Sequence, residues 1–313
     1  MAVYTEVSDA ALNAFLQNYQ IGAPVRLTGI LQGIENSNFV LKTTNGKYVL
    51  TVFERRAAAE DLPYFLGLMT HLSAKGFPAP APIESRDGAT LGVISGKPAA
   101  IVSFLEGDWP RAPSAADAYQ AGSALARLHE AAADFALGRE NTLGAHTWRP
   151  LYDASAARAD TVEAGLKAEI EHRLQAILAK WPTDLPSGAI HADLFPDNMF
   201  LQDGAVSGVI DYYFACTDAY AYDLAITLNA WCFDGENCWR PDHSAQMMAG
   251  YQSIRPLSAA EQAALPVLLQ GAAMRFLLTR LYDWLHPRSD ALANQKDPLQ
   301  QRDQLRWHQD QRP

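Results

Sequence analysis

Cysteine is scarce: only Cys216, Cys232 and Cys238 occur in 313 residues, and no two form a CxxC pair. That excludes a disulfide framework, and an odd number of unclustered thiols suits a reducing compartment. Long apolar runs are lacking too. With no uninterrupted stretch of about 18 apolar residues, no bilayer span is predicted. The opening MAVYTEVSD carries an acid and no apolar core, so no signal peptide is expected. Positive charge is outweighed, with 25 Lys and Arg against 35 Asp and Glu and a formal net charge of −10. This argues against a nucleic-acid partner or an anionic membrane surface. A cytoplasmic location is the default expectation. Neither a GxGxxG motif nor a Walker lysine is present.

What is present is enough to fold. At 313 residues and 49% hydrophobic, the chain can fill two lobes, each with its own core. Residues 9–19 set Ala11, Leu12, Phe15 and Leu16 on one helical face behind Ser8 as a cap. The period then changes to that of strands over 25–31, 37–43 and 47–53, with Asn45-Gly46 as a hairpin signal. A helix over 60–75 should end at Gly76, and further strands are expected over 90–93 and 98–104. Phe104-Leu105-Glu106 leaves the last strand and is read as a hinge. From there the pattern is mostly helical: 114–131, a long amphipathic stripe over 153–181, 219–231, and a helix from the capping box Ser258-Glu261 toward His286, with Pro266 as a possible kink. The expected architecture is α+β and two-lobed: residues 1–105 a small β-rich lobe, 106–313 a larger, mainly helical one. The tail from Ser289 reads as either a docked helix or a partly disordered segment.

The chemistry concentrates in His191-Ala192-Asp193-Leu194-Phe195-Pro196-Asp197-Asn198, followed by Asp211 thirteen residues after Asn198. Phosphorylation of a hydroxyl by ATP needs a carboxylate at the acceptor oxygen and hard oxygen ligands for magnesium beside the transferring phosphate. Asp193 suits the first role, and Asn198 with Asp211 the second. Between them lie two short apolar arms and a turn signal, Asp203-Gly204. Folding about that turn brings Asn198 and Asp211 within about two residues of facing each other, where opposed Cβ atoms lie roughly 5 Å apart. Each residue alone is an ordinary loop residue; the combination with its spacing points to phosphoryl transfer. His191 is read as packing and bonding the backbone, not as a proton carrier.

This loop resembles that of the aminoglycoside phosphotransferase and choline kinase superfamily, which is similar in fold to the protein kinases. Glu35-Asn36-Ser37-Asn38-Phe39, the stretch 48–54, Asp61-Leu62-Pro63, HADLFPDN and the segment 210–225 look like the bacterial homoserine kinases of the aminoglycoside-phosphotransferase-like type. The resemblance implies a protein-kinase-like fold, ATP and Mg2+ as cofactors, L-homoserine as the small-molecule acceptor, and a place in threonine biosynthesis. The oligomeric state is left open between monomer and homodimer.

Glu35, Asn36, Ser37 and Asn38, with Phe104, Leu105 and Glu106, are the candidates for nucleotide binding. Tyr212, Tyr213, Asp223 and Trp231 are candidates for the acceptor, with a structural role weighed against a binding one for both Asp223 and Trp231. The strand lysine usual in kinases is replaced by Thr51, leaving Lys47, Arg55 and Arg56 as possible substitutes. The alternatives are a kinase for another small hydroxylated amine or sugar, such as choline, an aminoglycoside or methylthioribose, or a non-catalytic nucleotide-binding relative.

Overall fold

The computed structural model describes residues 5–30, 36–54, 59–287 and 295–310. Along the chain the elements are α1 (Asp9–Leu16), β1 (Pro24–Gly29), β2 (Ser37–Thr43), β3 (Gly46–Val52), α2 (Leu62–Ala74), β4 (Gly92–Ile94), β5 (Lys97–Ser103) and α3 (Ala115–Ala131). They continue with α4 (Ala145–Ala156), α5 (Leu166–Leu178), β6 (Ser187–Ile190), β7 (Met199–Gln202), β8 (Ala205–Val209), β9 (Cys216–Ala219), α6 (Tyr220–Cys232), α7 (Pro241–Gln252), α8 (Ala259–Leu285) and α9 (Pro298–Asp310). The chain forms two compact units. One comprises Met1–Trp109, Asp134–Arg139 and Met199–Tyr213; the other comprises Pro110–Ala133, Glu140–Asn198 and Phe214–Pro313.

In the first unit an antiparallel sheet runs in the order β1-β2-β3-β5-β4. Its strands alternate as their sequence does. Leu50 and Val52 of β3, with Phe39, Leu41, Ala99 and Ile101, face Leu12, Phe15 and Leu16 of α1. The β2–β3 turn falls on Thr44-Asn45, one residue before the predicted position, because Thr43 pairs with Gly46. Helix α2 ends as expected at Gly76: with that residue at φ 76°, the amide of Phe77 bonds Leu72 O and that of Gly76 bonds Ser73 O.

The hairpin β7–β8 belongs to this unit. Asp203 and Gly204 both take positive φ, 53° and 76°, as a tight two-residue turn of Asp-Gly type requires. Asp108 and Leu201 exchange backbone bonds of 3.1 and 2.9 Å, and Val209 N donates to Pro78 O. Gly107 makes this docking possible, since a Cβ there would lie 2.3 Å from Ser207 Oγ and 2.9 Å from Leu201 O.

The second unit is mainly helical. Residues of α6 and α8 form its centre, with Trp148 and Tyr152 of α4 and Leu166, Ile170 and Leu174 of α5 around them. Each leucine buried there, such as Leu277, Leu278 and Leu281, contributes about 2 kcal/mol from apolar area removed from water. Helix α8 is long and apolar enough by length and composition to cross a membrane, contrary to the sequence expectation, but 67% of its apolar window is buried within the protein. It continues through Pro266 as one helix.

The predicted helix over 153–181 is divided: α4 ends at Ala156, a short turn follows, and α5 opens only after Gly165 at φ 86°. Strands β6 and β9, paired Ser187 to Ala219 through Ile190 to Cys216, were not foreseen, nor was α7. Among the described tail residues, α9 is a docked helix that buries Gln301, Arg302, Gln304, Leu305 and His308.

Candidate active site

The loop after β6 is held by its backbone. Asp223 of α6, fully buried, accepts from the amides of His191 and Ala192 at 2.8 Å each and pairs with His129 Nε2 at 3.0 Å. Ala192 sits in the left-handed region, φ 62°, and its carbonyl accepts from Arg275 Nη1 at 2.5 Å. The Asp193 amide donates to His191 Nδ1 at 3.2 Å, which leaves the His191 proton on Nε2. Asp193 O accepts from Phe195 N and from Asn198 Nδ2, both at 2.8 Å. Trp231 Nε1 donates to Leu194 O at 2.9 Å, and the Phe195 ring packs edge-on against Phe276. Bonds at this density fix the main chain of Asp193 before any substrate arrives.

Burial alone would raise the Asp223 carboxyl. The hydrogen bond and charge of His129, with the nearby His191, bring it instead below the ordinary carboxylate value. The network extends outward: His129 Nδ1 meets Tyr251 Oη at 2.8 Å, Arg255 donates to that oxygen at 3.1 Å, and Arg255 pairs with Glu261 at 2.8 Å. His129 and Arg275 were missed by the sequence reading. A lone cation in the otherwise apolar run Ala-Ala-Met-Arg-Phe-Leu-Leu was the available signal.

Met199 pairs with Val209, so Asn198 immediately precedes one arm of the hairpin and Asp211 follows the other by two residues. Asp211 has φ 66°, a conformation that costs a non-glycine residue energy and is concentrated at functional sites. With Asn198 Nδ2 committed to Asp193 O, its Oδ1 is the atom left to accept or ligate. Among the described residues no cluster of three or more His, Cys, Asp or Glu could hold a metal by itself. An amide oxygen and a carboxylate are each hard donors of the type magnesium takes beside phosphate oxygens, since it rarely occupies an all-protein cage.

The remaining predicted residues fall in several places. Glu35, Arg55 and Arg56 lie outside the described residues. Asn36 and Ser37 are buried and brace the end of the sheet: Asn36 Oδ1 accepts from Glu54 N, and Ser37 Oγ donates to Glu54 Oε1 at 2.8 Å. Asn38 Oδ1 accepts from Thr51 Oγ1 at 2.8 Å, so the position of the usual strand lysine holds a neutral pair. Lys47 lies 3.1 Å from Glu106 and 4.8 Å over the Phe104 ring, while Leu105 packs against Gly208 of β8. Tyr212 is fully buried, which pushes its phenol up, and Tyr213 packs edge-on against Phe53 and Phe65. Asp223 and Trp231 bond the back of the loop; for both, the contacts support the structural alternative.

Comparison with known proteins adds to this geometry. The family model described as "Phosphotransferase enzyme family" matches residues 26–257. A homoserine kinase of Rhodospirillum rubrum is 53% identical over 308 residues, covering 98% of this chain and 96% of its own. One from Methylobacterium radiotolerans is 54% identical with the same coverage. Among solved structures, an amicoumacin kinase in complex with AMP-PNP, Ca2+ and Ami has a TM-score of 0.72 at 16% identity, covering 98% of this chain and 94% of that one. A spectinomycin phosphotransferase in complex with ADP and spectinomycin has a TM-score of 0.69 at 13% identity, with coverage of 99% and 96%. These structures share the kinase-like fold.

Proposed function

Because the chain belongs to the phosphotransferase enzyme family, in its branch of homoserine kinases, we infer that it moves the γ-phosphoryl group of ATP onto the side-chain hydroxyl of L-homoserine. The products are O-phospho-L-homoserine, ADP and a proton, and the step belongs to threonine biosynthesis in the cytoplasm. The observation that carries this reading is 53–54% identity to homoserine kinases over 98% of the chain. The loop held by Asp223 supplies the means.

In this reading transfer is direct and in line, with no phosphorylated side chain as intermediate. Asp193 orients the acceptor hydroxyl and takes its proton as the oxygen attacks phosphorus. Asn198 and Asp211 are the ligands we assign to Mg2+, which when bound offsets the negative charge of the nucleotide phosphates. Residues 1–105 act as the nucleotide-binding lobe, through Glu35 to Asn38 and the hinge Phe104-Leu105-Glu106, and 106–313 as the catalytic and acceptor-binding lobe. Rigid placement of the Asp193 backbone accounts for rate through position more than through acid–base strength.

Release of ADP with homoserine, serine, threonine, choline and kanamycin in one assay tests the acceptor. Homoserine is expected to exceed the others in kcat/KM. A higher value for choline or kanamycin would overturn the assignment.

A further inference from the structure

Arg280 differs from the arginines of its unit that are ion-paired, and like Arg158 and Arg275 it donates to neutral oxygens. Arg149, Arg173, Arg255, Arg302 and Arg306 each pair with a carboxylate. Arg280, partly buried on α8, donates from Nη1 to two neutral oxygens: Asp297 O at 3.3 Å and Gln300 Oε1 at 2.8 Å. Its Nε and Nη2 have no protein partner among the described residues. A partly buried guanidinium whose free N–H groups still reach solvent is open to an anionic ligand.

Its position gives an anionic ligand a place. Phe276, one helical turn earlier and on the same face of α8, packs against Phe195 two residues beyond Asp193. Lys296 places its ammonium 5.3 Å over that same Phe195 ring and makes no ion pair among the described residues. Burial lowers the Arg280 pKa to about 10, while the charges of Asp193 and Asp297 oppose the fall. Lys296 thus lies over the aromatic residue beside Asp193, Arg280 follows by one helical turn the phenylalanine packed on that residue, and the carboxylates of Asp193 and Asp297 act on Arg280.

We propose that Arg280, with Lys296 beside it, receives the α-carboxylate of the amino-acid acceptor while the acceptor's hydroxyl is presented to Asp193. The assignment rests on the functional reading above and gives it a specificity determinant. Homoserine carries its carboxylate and its hydroxyl at opposite ends of one short carbon chain, so a cation at one end and a base at the other select both groups at once. Aminopropanol, which is homoserine without the carboxylate, lacks the first.

Two roles compete, an anion receptor and a clamp for the start of α9 through Gln300. They separate on acceptor choice. Arg280→Gln should lower kcat/KM for homoserine roughly 10²-fold, the scale of a lost charge-assisted bidentate pair, while leaving aminopropanol turnover and the KM for ATP within about threefold. Gln300→Ala, which removes the clamp and keeps the cation, should retain the preference for homoserine. Equal losses for both acceptors, a raised KM for ATP, or a Gln300→Ala variant as impaired as Arg280→Gln would overturn the proposal. Calorimetric binding of homoserine to the AMP-PNP complex requires no turnover. A roughly 10²-fold weaker affinity in Arg280→Gln supports the receptor, and an unchanged affinity overturns it. Wild-type protein that binds homoserine yet releases no ADP with it would sink the functional reading and leave the receptor standing.

Discussion

Asp193 and Asp223 are both carboxylates, and burial separates their work. Asp223 has no exposed surface and spends both oxygens on the loop amides and His129. Removing it strands two amides and an imidazole in the core. Asp223→Ala is therefore expected to lower stability by about 3–5 kcal/mol, as urea unfolding would measure; a loss under about 1 kcal/mol would contradict the bracing role. Asp193→Asn keeps the loop but removes the proton acceptor, so turnover should fall by at least roughly 10²-fold with ATP affinity unchanged. A stopped-flow comparison of transfer and nucleotide binding checks it. At this scale the sequence was most legible where chemistry is dense, since HxDxxxxN combines residue type with spacing. It was least legible where a role comes from three-dimensional burial. A loop-holding role for Asp223 was among the sequence readings, but its partner His129 and the loop-bracing Arg275 lie tens of residues away and are brought in only by the packing of their helices.

Among the elements, the hairpin β7–β8 has the most direct functional consequence. Its turn and register were readable from Asp203-Gly204, but the left-handed backbone at Asp211 was not, because nothing local demands it. Asp211→Ala is expected to abolish metal-dependent nucleotide binding while magnesium-independent binding persists. Equilibrium titration of a fluorescent ATP analogue with and without Mg2+ would show this, and full retention would contradict the ligand assignment. Helix α9 gives a pH prediction. His308 bonds Asn229 Oδ1 at 2.7 Å, and burial lowers its pKa to about 4. The folded state then resists a proton that the unfolded chain accepts below the ordinary value of 6.5. Stability from this group is complete above pH 6.5 and is lost as pH falls toward 4, by about 3 kcal/mol in all. His308→Gln should show less loss over that window in urea unfolding, and parallel curves would contradict it. The short strands β6 and β9 and helix α7 escaped the sequence because runs this brief, or ones opened by Pro241, carry little periodic signal.

For the molecule as a whole, the α+β class was legible because the period shifts from that of strands to that of helices near Ser103. The grouping of Met199–Tyr213 with the first 109 residues was not. It depends on backbone bonds between Asp108 and Leu201 and on a contact that only Gly107 permits, neither of which leaves a periodic trace. Likewise α8 has the composition of a bilayer span, and only its burial reveals a core helix. The central claim is chemical, and phosphorus NMR of a mixture of ATP, Mg2+ and L-homoserine tests it most directly. With wild-type protein a phosphomonoester signal should grow in step with ADP, and with Asp193→Asn it should be nearly absent over the same time. ADP formed without the phosphomonoester, or the phosphomonoester formed equally fast by Asp193→Asn, would contradict it.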